Sequence, residues 1–418
     1  MREMKYSGAP WIGEIPYSWS SDKLKYHLVR KEPRNPGDMI VLSLYRELGI
    51  IPKDSRDDNH NQTSEDTSKY KYVKPGNFVV NKMKAWQGSV AVSDYEGIVS
   101  PAYYVYEFAD DVFNKRYFHH LIRGCYKDEF MRLSGGMRVG QWDLSSEDLD
   151  NTLIVIPPIS EQEAIAKYLD ARCIEIDALI SNVQDQIEIL EQYKRTTVIE
   201  CVTNGLHPKV MMKDSGTQWI GQIPSHWECI RGKYILQYVS KPIREDDGVI
   251  TCFRDGEVTL RSNRREDGFT MADKECGYQG IDVGDLVVHG MDGFAGAIGI
   301  SDSRGKASPV LNVLETEQNK RYIMYFLRSM AYGDVFLAMA TGIRVRSCDL
   351  RWNKLAELFY PVPPIEEQNA IVEHIDRVIN DTNAIIKDKK EQIAVLEAYK
   401  KAIIFEYVTG KKEVDKVE

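Results

Sequence analysis

The chain spells one unusual stretch twice: WIGEIPYSW at residues 11–19 returns as WIGQIPSHW at residues 219–227. The recurrence runs far beyond those positions. At an offset of 208, VLSLYR from Val41 meets VITCFR from Val249, Met83 meets Met291, Gly88 meets Gly296, and Ser100-Pro101 meets Ser308-Pro309. The offset slips to 205, where NKRY from Asn114 meets NKRY from Asn319, and then to 206, where Gly136-x-Arg138 meets Gly342-x-Arg344 and PPISEQ from Pro157 meets PPIEEQ from Pro363. Such drift is what short loop deletions leave behind. A chain of 418 residues is long enough for two or three domains with their own cores. A duplicated chain must solve one burial problem twice. Positions that recur therefore do a job common to both copies, and positions that diverge are where the copies differ.

Each copy has two parts. The first, about 150 residues, mixes short β-rich runs such as NFVV and VAV with Gly, Pro and Asp punctuation, and predicts a compact α+β lobe with a helix near Asn114 or Asn319. The second is a long helix. After Pro157-Pro158, the residues Ile165, Leu169, Ile176, Leu179, Val183, Ile187, Leu190 and Val198 recur near every third or fourth position, with no Gly or Pro until Gly205. The twin stripe is Ile371, Ile375, Val378, Ile385, Ile393, Leu396 and Ile403, ending at Gly410. Both proline pairs precede a first turn rich in acid, where a missing N–H costs little and the helix dipole favours negative charge.

A helix of about 40 residues is roughly 60 Å long and cannot bury its apolar stripe alone. The economical solution pairs the two helices as an antiparallel coiled coil, giving two α+β lobes with pseudo-twofold symmetry and a dumbbell outline. The other solution folds each helix back onto its own lobe. The boundaries read as a first lobe over 1–156, a central helix over 157–207, a second lobe over 208–362, a C-terminal helix over 363–410 and a tail over 411–418.

Composition narrows the function. No apolar run approaches the roughly 18 residues of a membrane span, and the opening MREMKYSGAP has no hydrophobic signal core, which predicts a cytoplasmic protein with no membrane partner. The seven cysteines form no CxxC pair, so neither a zinc ribbon nor a disulfide framework is indicated, and the eight histidines show no metal spacing. The double prolines sit in IPPI and VPPI rather than in the [ND]PP[YF] element of an amino-methyltransferase, and no GxxxxGK[ST] phosphate loop occurs. The glycine-rich HGMDGFAGAIG from His289 aligns with a glycine-poor twin and fits a strand-loop-strand. Residues predict no catalysis, no cofactor and no metal in this chain alone.

PPxxEQ followed by a long helix, with WIGxIPxxW opening each half, resembles the specificity subunit of type I restriction-modification systems over nearly the whole chain. That resemblance implies two target-recognition lobes, each reading one half of a split double-stranded DNA sequence, with the paired helices as spacer. It also implies two methyltransferase subunits and restriction subunits assembled around them, with S-adenosylmethionine, ATP and Mg on those partners. A scaffold whose lobes bind only proteins, and a standalone DNA-acting enzyme with dispersed Asp, Glu and Lys, are the alternative classes. In the family reading the tryptophans and isoleucines of WIGxIPxxW stitch that segment to the lobe or to a helix end.

The net charge of −9 looks wrong for a DNA binder, but residues 161–203 carry nine acids against four bases and residues 366–410 nine against six. The helices thus hold all but one of the excess negative charges, and the rest of the chain is nearly neutral. Such a chain grips phosphates weakly without basic partners. Arg46 recurs as Arg254, Arg56 as Arg264, Arg123 as Arg328 and Arg138 as Arg344. Phosphate contact is common to any sequence, so recurring arginines are backbone-contact or structural candidates. Arg138 and Arg344, in Gly-flanked loops, favour contact; Arg123 and Arg328, on the predicted helix, favour structure. Base readers must differ between lobes: Lys82, Lys84 and Gln87 face Gly290, Asp292 and Ala295, His289 replaces Asn81, and Gln141 and Arg346 lie in divergent loops. If the helices act as a ruler, adding four residues within 187–203 should widen the unspecified gap by one or two base pairs, read by methylation mapping.

Overall fold

The computed structural model describes residues 2–46, 48–55, 63, 66–136, 142–264, 277–338 and 350–414. It divides into two units, Met1–Val183 with Glu391–Glu418, and Gln184–Lys390. Each unit holds one lobe and a part of each long helix.

In the first unit a four-stranded antiparallel sheet runs in the order Leu28–Arg30, Tyr103–Phe108, Phe78–Asn81, Val90–Val92. In the second the order is Gln237–Val239, Leu311–Glu315, Leu286–His289, Ile298–Ile300. The two sheets are the same sheet built twice. The run FVVN is apolar without alternation because its strand is covered on both faces. Phe78 and Val80 point into a core shared with the helices, whereas Val79 points into a smaller core with Leu42, Leu44, Ile50 and Val99. Leu286 and Val288 against Val287 divide in the same way.

The strand pairs Ser20–Lys23 with Leu153–Ile156, and Glu228–Arg231 with Phe359–Val362, bring the two ends of each lobe together. WIGxIPxxW is thereby set beside PPxxEQ. Trp19 and Trp227, 1% and 0% exposed, donate their Nε1–H to Glu161 Oε2 at 2.9 Å and to Glu367 Oε2 at 3.1 Å. Glu161 also pairs with Arg2, and His226 Nε2 lies 2.8 Å from Glu367. The adjacent glutamines are fully buried. Gln162 Oε1 accepts from Asn114 N at 2.8 Å while its Nε2 donates to the carbonyls of Val112 and Pro157; Gln368 Oε1 accepts from Asn319 N at 3.0 Å and its Nε2 donates to Pro363 O and Gln318 Oε1.

NKRY is explained residue by residue. Asn114 and Asn319 cap the helices Lys115–Cys125 and Lys320–Tyr332, each accepting two backbone N–H bonds. Arg116 and Arg321 pair with Asp170 and Asp376 on the long helices. Tyr117 Oη donates to Val408 O at 2.9 Å, a carbonyl in the last turn of a long helix; Tyr322 Oη lies 2.9 Å from Pro361 O in the strand Phe359–Val362 and 3.3 Å from Val202 O, which is in the last turn of the other long helix. Those helices end on Gly410 and Gly205 at φ 70° and 73°, the left-handed region. A Cβ at Gly410 would run into Pro16 and Trp19, and one at Gly205 would stand 3.1 Å from the Trp227 ring. The WIGxIPxxW segment of each lobe therefore seats the start of one long helix and the end of the other.

The long helices run over Ile159–Asn204 and Ile365–Val408. In the first unit they meet at Tyr168 with Tyr407, rings 4.5 Å apart, and at Asp177 with Lys400, 2.6 Å. In the second they meet at Lys194 with Asn383, 2.7 Å, and at Gln186 with Lys389. Numbers rise on one helix as they fall on the other, so the pairing is antiparallel in both units. Each helix also buries its first turns on its own lobe, through Ile165 and Leu169 or Ile371 and Ile375, so both solutions posed by the sequence are used in succession. Two residues of the apolar stripe face solvent instead. Leu179 is 54% exposed with Ile180 turned inward, and Ile385 is 46% exposed while Ile386 is 4%. Where two apolar residues are adjacent, spacing cannot choose between them; the inward set Thr382, Ile386, Lys389, Ile393, Leu396, Lys400, Ile403 alternates by four and three, which fixes the phase.

Trp227→Phe removes a hydrogen bond to a carboxylate and is expected to cost about 1.5–3 kcal/mol. Trp219→Phe, at a side chain 40% exposed, should stay within about 0.5 kcal/mol. Denaturant unfolding of both variants checks the pair; equal losses would contradict the seat described here.

Candidate nucleic-acid interface

In each lobe an inner strand and the edge strand beside it, Phe78–Asn81 with Val90–Val92 and Leu286–His289 with Ile298–Ile300, are joined by a tight turn on the sheet's rim. The first contains a single 3-10 turn at Ala85–Gln87 closed by Gly88 at φ 90°; the second contains Gly293–Ala295 closed by Gly296 at φ 96°. A preceding hairpin delivers one arginine to each. Arg46 Nη2 donates to Gln87 Oε1, and Arg254 Nη2 donates to Asp292 Oδ1 at 2.9 Å. Behind them, Arg123 donates to Arg46 O at 2.6 Å and to Val90 O at 3.2 Å, while Arg328 donates to Asp255 O at 2.7 Å. These two helix arginines brace the hairpin, the structural role that their position predicts.

The remaining candidates separate by lobe. Lys82 pairs with Asp143 at 2.9 Å, and that hydrogen bond holds its ammonium above the usual lysine value. Lys84 is exposed on the turn. Trp86 and Trp142 meet edge to face at 5.4 Å, a contact between two segments that no spacing in the sequence joins. In the second lobe His289 Nδ1 accepts from the N–H of Met291 at 3.2 Å and of Asp292 at 2.9 Å, which leaves the ring proton on Nε2. Burial pushes the His289 pKa down, so the ring is neutral near pH 7. Arg264 lies 4.1 Å over the Phe253 ring and is held by Asp255 at 2.6 Å and Glu257 at 2.9 Å. Arg56, Arg138, Gln141, Arg344 and Arg346 lie outside the described residues.

The divergent segments converge on the rim turn. Leu144 N donates to Lys82 O at 3.0 Å and, at the twin position, Leu350 N donates to Gly290 O at 2.8 Å. The frame is thus repeated while the charge it carries is not. At the position of Lys84 the second lobe has Asp292, so Arg46 meets a neutral amide and Arg254 meets a carboxylate.

Little else in the described residues offers chemistry. Burial pushes the thiols of Cys125 and Cys252 up to about 12 and that of Cys201 to about 11, which keeps them protonated. Among the described residues no cluster of three His, Cys, Asp or Glu side chains could hold a metal ion.

A family model for the type I restriction modification DNA specificity domain matches residues 28–189. The type I restriction enzyme EcoBI specificity subunit of Escherichia coli is 24% identical over 327 residues, covering 73% of this chain and 67% of that one. The MjaVIII specificity subunit of Methanocaldococcus jannaschii is 24% identical over 368 residues, 82% and 83% of the two chains. A further M. jannaschii relative, provisionally named the MjaX specificity subunit, aligns at 24% identity over 96% of both chains. The chain is similar to type I restriction enzyme specificity subunits over nearly its whole length. A solved chain from work on complex assembly and conformational transition of a type I R-M system shares the fold, with TM-score 0.69 at 16% identity over 95% of this chain and 99% of that one. In the rim turns the two copies of the repeated frame differ in charge, Lys82 and Lys84 standing where the second has Gly290 and Asp292.

That difference is measurable. Asp292→Asn releases Arg254 and is expected to steepen the salt dependence of binding to an arbitrary duplex by about one unit of slope, while Lys84→Ala should make it shallower by about one. Fluorescence anisotropy over a salt series reads both; an unchanged slope in both variants would place the rim turns away from the phosphates.

Proposed function

We propose that each lobe of this DNA specificity subunit reads one half of a split double-stranded target through its rim turn and the segment beside it. The observation that carries the reading is one frame, repeated to the level of single hydrogen bonds, bearing different side chains where it meets solvent. Arg46, Arg254 and Arg264, with Arg56, Arg138 and Arg344, serve phosphate contact or the frame of the loops. Lys82, Lys84, Gln87, Gln141, His289 and Arg346 are the base readers. A neutral His289 would offer a base edge one donor, its Nε2–H, and Gln87 both a donor and an acceptor.

The long helices set the separation of the half-sites and carry the partners, two methyltransferase subunits with restriction subunits around them. Methylation and cleavage belong to those partners, with S-adenosylmethionine, ATP and Mg bound there, and this chain is non-catalytic alone. The recognition domains are residues 1–156 and 208–362, the spacers 157–207 and 363–410, and 411–418 a tail. No helix of the described residues is long and apolar enough to cross a membrane, and a DNA target supports a cytoplasmic setting.

Replacing residues 1–156 by the lobe of a relative should change one half of the methylated sequence and leave the other intact; a change in both halves would sink independent reading. The seats at Trp19 and Trp227 also revise the ruler test. Each lobe holds one helix start and one helix end, so four residues added within 187–203 alone displace a helix end from its seat. Activity should survive only when both helices are lengthened by four residues. The gap should then grow by one or two base pairs, since four residues add about 6 Å. Methylation mapping decides, and full activity of the single insertion would contradict the paired seating.

A further inference from the structure

Away from the rim, each lobe carries a second surface constellation that recurs. Lys23, Lys25 and Tyr26 stand at an offset of 208 from Arg231, Lys233 and Tyr234. In the first lobe Lys23 and Lys25 both donate to Asn151 Oδ1, at 3.3 and 3.0 Å; in the second Arg231 and Lys233 both reach the Glu357 carboxylate, at 2.8 and 3.1 Å. Asn151 and Glu357 are themselves twins, each two residues before the strand residue that faces Lys23 or Arg231. The ammonium of Lys25 lies 5.5 Å over the Tyr26 ring, and that of Lys233 lies 5.5 Å over the Tyr234 ring. One geometry is thus built twice from segments far apart in sequence.

Stability does not account for the recurrence, because Tyr26 is 60% and Tyr234 74% exposed and exposed charge contacts contribute at most about 1 kcal/mol. Tyr6 and Tyr17 are as open in the first lobe but give way to Asp214 and Ser225 in the second, so exposure alone does not make a tyrosine recur. Position excludes the rim's ligand. The rim turns adjoin the Tyr103 and Leu311 ends of the central strands, through Asn81 and His289, whereas the Lys-Tyr pairs lead into Leu28–Arg30 and Gln237–Val239, which face the Phe108 and Glu315 ends. Roughly 13–17 Å of strand separates the two ends, so a duplex held at the rim leaves this surface open. Its charge is positive. In the first lobe two ammonium groups share a neutral amide, while Asp148 and Asp150 of the same segment are engaged by Ser145 Oγ and Tyr106 Oη. In the second an ammonium and a guanidinium share one carboxylate.

We propose that these two patches are equivalent docking points for an acidic protein surface carried by two copies of one partner, with Lys25 and Tyr26 as the anchors in the first lobe and Lys233 and Tyr234 in the second. This rests on the proposed function, in which that partner is the methyltransferase subunit, present twice. A surface that meets different half-sites must differ between the lobes, whereas one that meets the same protein twice must repeat. The tyrosine supplies a ring of large area and a free edge at small cost in side-chain freedom, and the cations on either side of it select a partner of opposite charge.

The test uses the full chain titrated with its methyltransferase subunit, with the occupancy of each binding step read by native mass spectrometry, beside the melting temperature and the DNA-binding salt slope of the lone chain. Lys25→Glu with Tyr26→Ala is expected to weaken one of the two bound subunits by about tenfold or more and to leave the other. Lys233→Glu with Tyr234→Ala should weaken the other one, and all four substitutions together should weaken both. Lys25→Arg with Tyr26→Phe should retain the assembly, and the salt slope and melting temperature should stay unchanged throughout. Unaltered assembly in the fourfold variant overturns the proposal. So does a lower salt slope in the lone chain, which would make the patches phosphate contacts, and so does a loss of subunits accompanied by a lower melting temperature, which would make them part of the lobe's own packing. If the unsubstituted chain takes up fewer than two methyltransferase subunits, the reading of the partners fails first, and that outcome is distinct from a failure of the patches alone.

Discussion

The structure depends on one hydrogen bond made twice: the indole N–H of a buried tryptophan to the carboxylate of a PPxxEQ glutamate. Trp19 and Glu161 are 142 residues apart, Trp227 and Glu367 140. The bond closes each lobe at its two ends, and the same indole is the surface on which the other long helix terminates at glycine. The next residue, Gln162 or Gln368, is fully buried and hydrogen-bonded on both its oxygen and its nitrogen. A buried amide satisfied on both atoms fixes orientation as well as position, since no rotated arrangement gives the same set of partners. The start of each long helix is thus locked to its lobe before any helix-to-helix contact contributes.

That locking bears on the helix pair itself. Its inward positions are not a uniform apolar seam; Thr382, Lys389 and Lys400 stand among Ile386, Ile393, Leu396 and Ile403. Lys400 reaches Asp177 and Lys389 reaches Gln186, so the polar members find partners across the pair rather than leaving charge buried. Polar residues at such positions weaken a coiled coil and specify its register. A pair whose ends are already seated in lobes needs register more than it needs strength, and the sequence supplies it in that proportion.

Most of the frame was legible in the sequence, because duplication compares the chain with itself. The recurrence of PPxxEQ, NKRY and WIGxIPxxW placed the long helices and the lobes, and the run NFVV marked a strand, while its cover on both faces came from the structure. What spacing could not supply was helix phase: Leu179 and Ile180 both satisfy a three-and-four rule, and only the heptad of the partner helix selects Ile180. Nor could it supply contacts between distant segments, such as Trp86 with Trp142 or Lys82 with Asp143, which exist only once the sheet has brought its rim together.

Under the proposed function, the internal pairing of the rim arginines bears on how a chain with net charge −9 would meet DNA. An arginine held by Asp292, or by Asp255 and Glu257, is oriented before any ligand arrives, so little conformational freedom remains to be lost on binding. Exchanging a carboxylate for a phosphate replaces one partially solvated ion pair by another, which gives small net affinity but keeps the geometry strict. A surface of this kind discriminates by fit and leaves the bulk of the binding free energy to be supplied elsewhere. The lobes are close to neutral and the excess acid lies on the long helices, so under the proposed function the missing attraction would come from basic surfaces of the partner subunits. Weak intrinsic grip is then a consequence of how the recognition surface is ordered. It also limits binding of the lone chain at arbitrary sequences, where phosphate attraction would otherwise outweigh any reading of bases.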